Sequence, residues 1–543
     1  MMREASTTDD QSEVFSFLSD PKTHGTEAPV FRIDTHGAVV FLAGGDAYKV
    51  KRAVRFPFMD FSTLEKRRAA CEAEIVINKP NAPDIYIGVA PIVRTAGGLR
   101  LGGHGPVIEW AVRMRRFDEE ATLDRVADRE ALSIDLIARL VRAILRSHER
   151  APRRDGAAAT EALKSYLDQN EAAFAADPEL FDGRRAKDLA RDARAALAAT
   201  KDLMIARGEA GYVRRCHGDL HLRNIALIDG EPILFDAVEF DDAIATGDVL
   251  YDLAFLLMDF EERGLRRTAN LVLNRYLWAT DEAQLSGLAA LPIFLSIRSA
   301  IRAKVVGAGL RFLDEGARAR AVAQARRYFR FAEEFLKPQP PRLVAIGGLS
   351  GTGKSALAGE IAPFLGRPPG SVWLRSDIER KRLFGVGETE HLSAEAYNRA
   401  NAKEVYLRLR RKAALALKAG QSVVVDAVHS KPEERDAVQG LAKEMGVPFA
   451  GLWLDAPLET RLKRVARRKN DASDADAAVA KAQIASAPNS LPWRRLDASD
   501  DLHAVAQAAR SFLGISGSLA CLAPMNSVGP IKASRARALA ASD

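Results

Sequence analysis

The stretch Gly348-Leu349-Ser350-Gly351-Thr352-Gly353-Lys354-Ser355 limits what this chain can fold into more than any other. The apolar run 343–346 precedes it and Ala356-Leu357-Ala358 follows, so it reads strand, glycine loop, helix. In that order the glycines let successive backbone N–H groups converge on a phosphate. Lys354 reaches the outer phosphates, and Ser355 offers its hydroxyl to Mg²⁺. A chain this long meets the full G-x-x-x-x-G-K-S spacing by chance only about one time in fifty, so the loop is read as a cradle for ATP·Mg²⁺.

At 543 residues the chain exceeds what one hydrophobic core organises, and two domains are expected. Its 47% hydrophobic and 28% charged residues are those of a soluble globular protein. Lys+Arg number 79 against 72 Asp+Glu, a slight excess that fits solvated helix faces and anionic substrates; nucleic acid is not expected as a partner. Residues 1–20 are polar and acidic, and the longest apolar run, 288–297, stops at Arg298, short of a bilayer span. A cytoplasmic location without a membrane is therefore expected. Cys71, Cys216 and Cys521 stand far apart with no C-x-x-C, which argues against a disulfide framework or a zinc site.

Residues 1–29 read as an N-terminal extension, and from Val30 apolar and polar residues alternate. Val30 to Asp34, Ala38 to Leu42 and Ala47 to Lys51 form three short strands of an antiparallel sheet. Ser62-Thr63-Leu64-Glu65 opens a helix to about Asn78 that carries Glu72 and Glu74. A strand lysine with a helix glutamate is how a kinase-type small lobe sets an ammonium on nucleotide phosphates. The two-residue strand period puts Lys49 and Lys51 on one face, so the strand alone leaves open which of them meets ATP. Strands at Tyr86 to Val93 and Gly105 to Met114 complete the lobe, and amphipathic helices occupy 121–207.

Cys216-His217-Gly218-Asp219-Leu220-His221-Leu222-Arg223-Asn224 follows, then a hairpin pattern ending at Phe235-Asp236. Phosphoryl transfer to a hydroxyl needs a carboxylate to accept the proton and oxygen ligands for Mg²⁺. Asp219 fits the first role, Asn224 and Asp236 the second. The step from Asp219 to Asn224 is that of the kinase catalytic loop H-R-D-x-x-x-x-N, with Gly218 in place of the arginine. His-Gly-Asp-Leu-His-x-x-Asn with a downstream Phe-Asp resembles the signature of the aminoglycoside phosphotransferase and choline kinase branch of the kinase-like fold. The resemblance implies Lys49 with Glu72 as the small-lobe pair that holds ATP, with Glu74 as the alternative, and loop-ordering roles for His217 and His221. The turn Thr35-His36-Gly37 has one glycine and departs from the G-x-G-x-x-G loop of kinases. Arg298 and Arg302, four apart on a helix face, read as partners of buried acids, with an anionic substrate as the other reading.

Lys337-Pro338-Gln339-Pro340-Pro341 is a short stiff linker. Beyond it strands alternate with helices at 343–347, 372–376, 423–427 and 449–454, the pattern of a parallel sheet covered on both faces. Asp377 follows the second strand on the rim of the glycine loop, where open α/β sheets bind ligands, and is read as a catalytic base or acceptor ligand. Asp426 closes the third strand and is read as holding a Mg²⁺ water or acceptor. The segment 459–468 resembles the mobile lid of P-loop small-molecule kinases, which implies that Arg464 and Arg468 neutralise the transferring phosphoryl group. The tail 515–543 reads as disordered.

The expected architecture is thus an α+β protein-kinase-like domain over 30–336, a linker at 337–341, and an α/β P-loop domain with a parallel sheet over 342–514. Together the halves resemble fused aminoglycoside phosphotransferase-like and P-loop (AAA) ATP-binding proteins. The expected function is transfer of the γ-phosphoryl of ATP to a small-molecule hydroxyl at two ATP·Mg²⁺ sites. A regulatory ATPase is favoured by the missing glycine loop and opposed by the intact Asp219, Asn224 and Asp236 set. A polynucleotide 5′-kinase gains from the basic balance but lacks an aromatic stacking stripe.

Overall fold

The alternation from residue 31 onward is realised as a six-stranded antiparallel sheet in the order Phe31–Asp34, Ala38–Ala43, Asp46–Lys51, Val107–Arg115, Tyr86–Thr95, Gly98–Leu101. The computed structural model describes residues 6–7, 9–56, 59–468, 471–483, 491–499 and 501–515, so the tail expected at 515–543 lies outside the described residues except for Ile515. Two compact units emerge, one of residues up to 259 with 294–334, the other of 260–293 with 335–515.

In the first unit, Val39, Phe41, Val50, Ile92 and Ala111 share one apolar cluster with Val14 and Leu18 of the helix Ser12–Ser19. The amino-terminal stretch read as an extension is thus part of the core from residue 12. On the sheet's other face lies the helix Leu64–Asn78, started by Thr63, whose hydroxyl accepts the Lys66 N–H at 3.3 Å. Farther along, Ile225–Ile228 and Glu231–Leu234 form a hairpin. Asp229 and Gly230 at its turn both have positive φ, 51° and 80°, the combination a tight two-residue turn needs. Its register brings the residue before the first strand, Asn224, level with Phe235, whose N–H donates to the Asn224 carbonyl at 3.0 Å. The metal-ligand candidates Asn224 and Asp236 are therefore held at one end of the hairpin.

The second unit contains five parallel strands in the order Val372–Arg375, Val423–Asp426, Leu343–Gly348, Phe449–Asp455, Arg494–Asp497. Continuous apolar runs such as Val423-Val424-Val425 suit strands covered on both faces. The strand Val372–Arg375 is an edge, and the helix Arg266–Ala279 closes it. Asn274 Oδ1 accepts the Trp373 N–H at 2.6 Å, Trp278 Nε1 donates to the Trp373 carbonyl at 2.7 Å, and Asn270 Nδ2 donates to Ser371 O at 3.0 Å. Trp278 itself belongs to the apolar core beneath the glycine loop. Contact in space thus places 260–293 with the P-loop unit, whereas the linear boundary at 337–341 assigned it to the first domain. Replacing Asn274 by Ala leaves a buried N–H without its acceptor and is expected to cost about 1–3 kcal/mol of unfolding free energy, read by chemical denaturation.

The helical stretch Ala283–Gly309 is, by length and composition, long and apolar enough to cross a membrane, and 78% of its most apolar window is buried inside the protein. Three adjoining helical segments, Ala283–Gly287, Leu288–Ala290 and Leu291–Gly309, make it longer than the run 288–297 considered alone.

Candidate active sites

In the first unit, Lys49 Nζ donates to Glu74 Oε1 at 3.0 Å and to Asp236 Oδ1 at 2.7 Å. The partner is Glu74, which is buried; Glu72, the partner expected from the resemblance, faces solvent and pairs with Arg68 at 2.8 Å. Two residues along a helix turn a side chain by about 200°, so only one of the two glutamates can face the sheet. Lys51 lies on the same strand face as Lys49, 2.5 Å from Glu74 Oε2, and also binds Glu239. Burial alone would lower the Lys49 ammonium, but the Asp236 and Glu74 carboxylates hold it well above its ordinary range. It remains charged.

Asp219 Oδ2 accepts from Asn224 Nδ2 at 2.9 Å and lies 3.3 Å from His221 Nε2. Burial would raise the Asp219 carboxyl, yet the charge and hydrogen bond of His221, with Arg302, hold it below its ordinary range. The His221 ring is held above its ordinary value by the same carboxylate, against the pull of burial. His217 has the loop-ordering place expected of it, Nε2 standing 3.0 Å from the Phe235 carbonyl. His221, in contrast, is an electrostatic partner of Asp219. Among the described residues Arg298 forms no ion pair with an acid: it donates to the carbonyls of Gly218 at 3.0 Å and Tyr251 at 3.3 Å and stacks 3.8 Å from the Tyr251 ring centre. Gly218, where kinases have arginine, has φ 82° and an N–H bonded to Asp252 Oδ1 at 2.8 Å. An added Cβ would stand 3.0 Å from Ala245 Cα, so both conformation and space call for glycine.

In the second unit the glycine loop joins the strand Leu343–Gly348 to the helix Lys354–Ile361. Gly353, in the left-handed region at φ 94°, caps that helix, and a Cβ built on Gly351 would stand 2.6 Å from Arg461 O. Lys354 Nζ donates to the Leu349 carbonyl at 3.2 Å, and Thr352 Oγ1 donates to the same carbonyl at 2.8 Å. The Ser350 N–H donates to Gln483 Oε1 at 2.7 Å, so this amide already has a protein partner. Ser355 Oγ donates to Asp426 Oδ2 at 2.6 Å, bringing a hydroxyl and a buried carboxylate together at the strand end.

Arg375 pairs with Asp471 at 3.2 Å and approaches Asp426 at 3.7 Å. Asp377, two residues on, is raised above its ordinary value by burial and by the Asp426 charge, with Arg375 opposing. Of the two arginines expected in a lid, Arg464 donates to Ala498 O at 2.7 Å and Thr352 O at 3.4 Å, bracing the loop backbone. Arg468 has a buried Nη1 without a hydrogen-bond partner among the described residues. His429 escaped the sequence reading because a lone histidine after an apolar strand carries no spacing signal. It is buried between Tyr406 and Trp493, with ring centres 5.5 and 5.2 Å away, and burial followed by the nearby Lys354 charge pushes it down to about 3.

A carboxylate beside a lysine on a kinase-like sheet in one unit and a glycine-loop parallel sheet in the other are the settings of kinase-type phosphotransferase domains. The model of the phosphotransferase enzyme family matches residues 88–288 and that of an AAA domain matches 343–489. An uncharacterized protein of Mycobacterium tuberculosis is 30% identical over 469 residues, 85% of this chain and 91% of its own length, and one of Mycobacterium bovis matches equally. A choline/ethanolamine kinase family protein from Mesorhizobium loti is 14% identical with a TM-score of 0.33, covering 59% of this chain and 97% of its own. The chain belongs to the family of these two mycobacterial proteins, with a phosphotransferase-type domain followed by an AAA-type P-loop kinase domain.

Proposed function

We propose that each unit transfers the γ-phosphoryl group of ATP to a hydroxyl of a small molecule. One observation carries the reading: Lys49, Glu74, Asp219, Asn224 and Asp236, spread over nearly two hundred residues, are joined by contacts of 2.7–3.0 Å and by the hairpin register. The donor set fits ATP·Mg²⁺ in both units. In the first, Asn224 turns its amide nitrogen to Asp219, leaving the amide oxygen for a hard cation beside the Asp236 carboxylate. In the second, the Ser355 hydroxyl and Asp426 carboxylate would supply oxygens for the cation, while Lys354 and the Arg468 Nη1, which has no hydrogen-bond partner among the described residues, would supply positive charge for phosphate oxygens. When bound, ATP·Mg²⁺ supplies the phosphoryl group and screens its charge.

The residues then have distinct tasks. Glu74 orients the Lys49 ammonium. Asp219 holds the acceptor hydroxyl by its proton; a carboxylate kept below its ordinary range is a weak base, enough for a transfer whose transition state demands positioning more than early proton removal. Asp377, held above its ordinary range, is the stronger base and receives the hydroxyl proton in the P-loop unit.

The full chain incubated with ATP, Mg²⁺ and a metabolite extract is expected to yield compounds heavier by one phosphate, read by mass spectrometry. ATP hydrolysis without any such compound would replace the reading with a regulatory ATPase. Glu74→Gln should lower turnover of the first unit about tenfold to a hundredfold, the worth of one charge-assisted hydrogen bond, whereas Glu72→Ala should leave it within a factor of two or so. Acceptor-dependent ADP release in a Lys354→Ala background measures both.

A further inference from the structure

The helix Leu291–Gly309 runs against the loop that carries Asp219, pinned there by the 3.0 Å bond from Arg298 to the Gly218 carbonyl. Arg302 stands one turn further along the same helix face. Its guanidinium lies 5.8 Å from the centre of the Tyr328 ring, bonds the Tyr328 side chain, and acts electrostatically on both Asp219 and His221. Among the described residues no carboxylate stands within ion-pair distance of it. The two acids it faces are otherwise engaged. Asp219 accepts from Asn224 at 2.9 Å and lies 3.3 Å from His221; Asp259 accepts the Leu222 N–H at 2.9 Å. Arg302 is half-buried and the Asp219 side chain is 30% exposed, so neither group is closed off from solvent.

A guanidinium offers five donors in a rigid fork, and Tyr328 occupies few of them. A cation drawn partly out of water beside a committed carboxylate is best satisfied by a second anion with two oxygens. We infer that Arg302 anchors an anionic group of the acceptor, so that the first unit acts on hydroxyl compounds bearing a carboxylate or a phosphate. This rests on the phosphotransfer reading of Asp219. The aromatic ring of Tyr328 lies beside Arg302, and Phe255 is set edge-on to His221 at 5.3 Å, apolar surface on which the carbon skeleton of such an acceptor would rest.

The test uses the full chain and two matched sets: glycerol, glycerate and glycerol phosphate; sorbitol, gluconate and sorbitol phosphate. In calorimetric titrations the acid or phosphate member of a set should bind about tenfold to a hundredfold more tightly than its neutral polyol. Arg302→Met should erase that difference. Arg302→Lys, which keeps the charge without the fork, should retain part of it, and its thermal unfolding verifies that the site is folded. In turnover with Lys354→Ala as background, the ratio of kcat/KM for anionic over neutral acceptors should collapse in Arg302→Met. Equal binding of neutral and anionic members by the unaltered chain overturns the inference. So does a fall in kcat by one common factor for both members with their ratio intact, which would assign Arg302 to the phosphoryl group instead. If no compound gains phosphate while the Arg302-dependent binding difference persists, the transfer reading fails and the anion site stands.

Discussion

Asp219→Asn should abolish phosphate transfer by the first unit and Lys354→Ala that by the second, each variant keeping the activity that the other loses. An asparagine keeps the shape of Asp219 and its contact with Asn224, but it neither accepts a proton nor holds the His221 ring above its ordinary value. A positioned base is worth about a hundredfold to ten-thousandfold in rate. Removing the Lys354 ammonium takes away the cation nearest the expected outer phosphates, and losses of about a hundredfold to a thousandfold accompany loss of such a charge from a preorganised site. ADP release followed across a panel of acceptors with both single variants and the double variant checks this. Full turnover in either single variant with every acceptor would remove that residue from the chemistry, and a common loss in both would mean one site rather than two.

Asp377→Asn is the second large effect, and it has a signature in stability as well as rate. Transfer by the P-loop unit should fall by about a hundredfold or more. At the same time the protein should become more stable at neutral pH. Burial first, and the Asp426 charge next, raise the folded-state pKa of Asp377 above its ordinary value of 3.8. Its proton-linked contribution to stability is therefore fully present below that ordinary value and lost as pH rises through the folded value. Asparagine removes the cost of the buried charge. Its gain in unfolding temperature should appear at neutral pH and vanish below about pH 3.9, where the aspartic acid is protonated in both states. Asp219 should behave oppositely: its folded pKa is lowered, its contribution is present above the ordinary value, and it disappears as pH falls. A loss of stability in Asp377→Asn at neutral pH would show that Arg375 and Lys354 outweigh burial there.

The P-loop elements were legible because their signal is local. Eight consecutive residues specify the loop, and the strand after which Asp377 falls is a plain apolar run. The Asp219 to Asn224 step and the hairpin before Asp236 were legible for the same reason. The choice between Glu72 and Glu74 was not, since both lie on one short helix and only its rotation about its axis, set by Cys71 and Ala70 packing beneath, decides which one is buried. Lys49 and Lys51 presented the mirror case: period-2 geometry placed them on one face, and the structure uses both against Glu74. Segment 260–293 was assigned by chain adjacency, and nothing in its composition announces that Asn270, Asn274 and Trp278 face a strand more than ninety residues ahead. The helix Ser12–Ser19 was missed because its apolar face is only two buried residues wide.

The asparagine seam on the strand Val372–Arg375 also determines how this protein can be cut. A fragment starting after the prolines, at Leu343, would keep every strand of the parallel sheet yet strip the Trp373 main chain of its two side-chain partners and bare the indole-lined side of the core. Such an uncovered border recruits a strand from another copy, and the shortened protein should self-associate. A fragment that carries residues 260–293 on a tether should stay monomeric, as sedimentation would reveal.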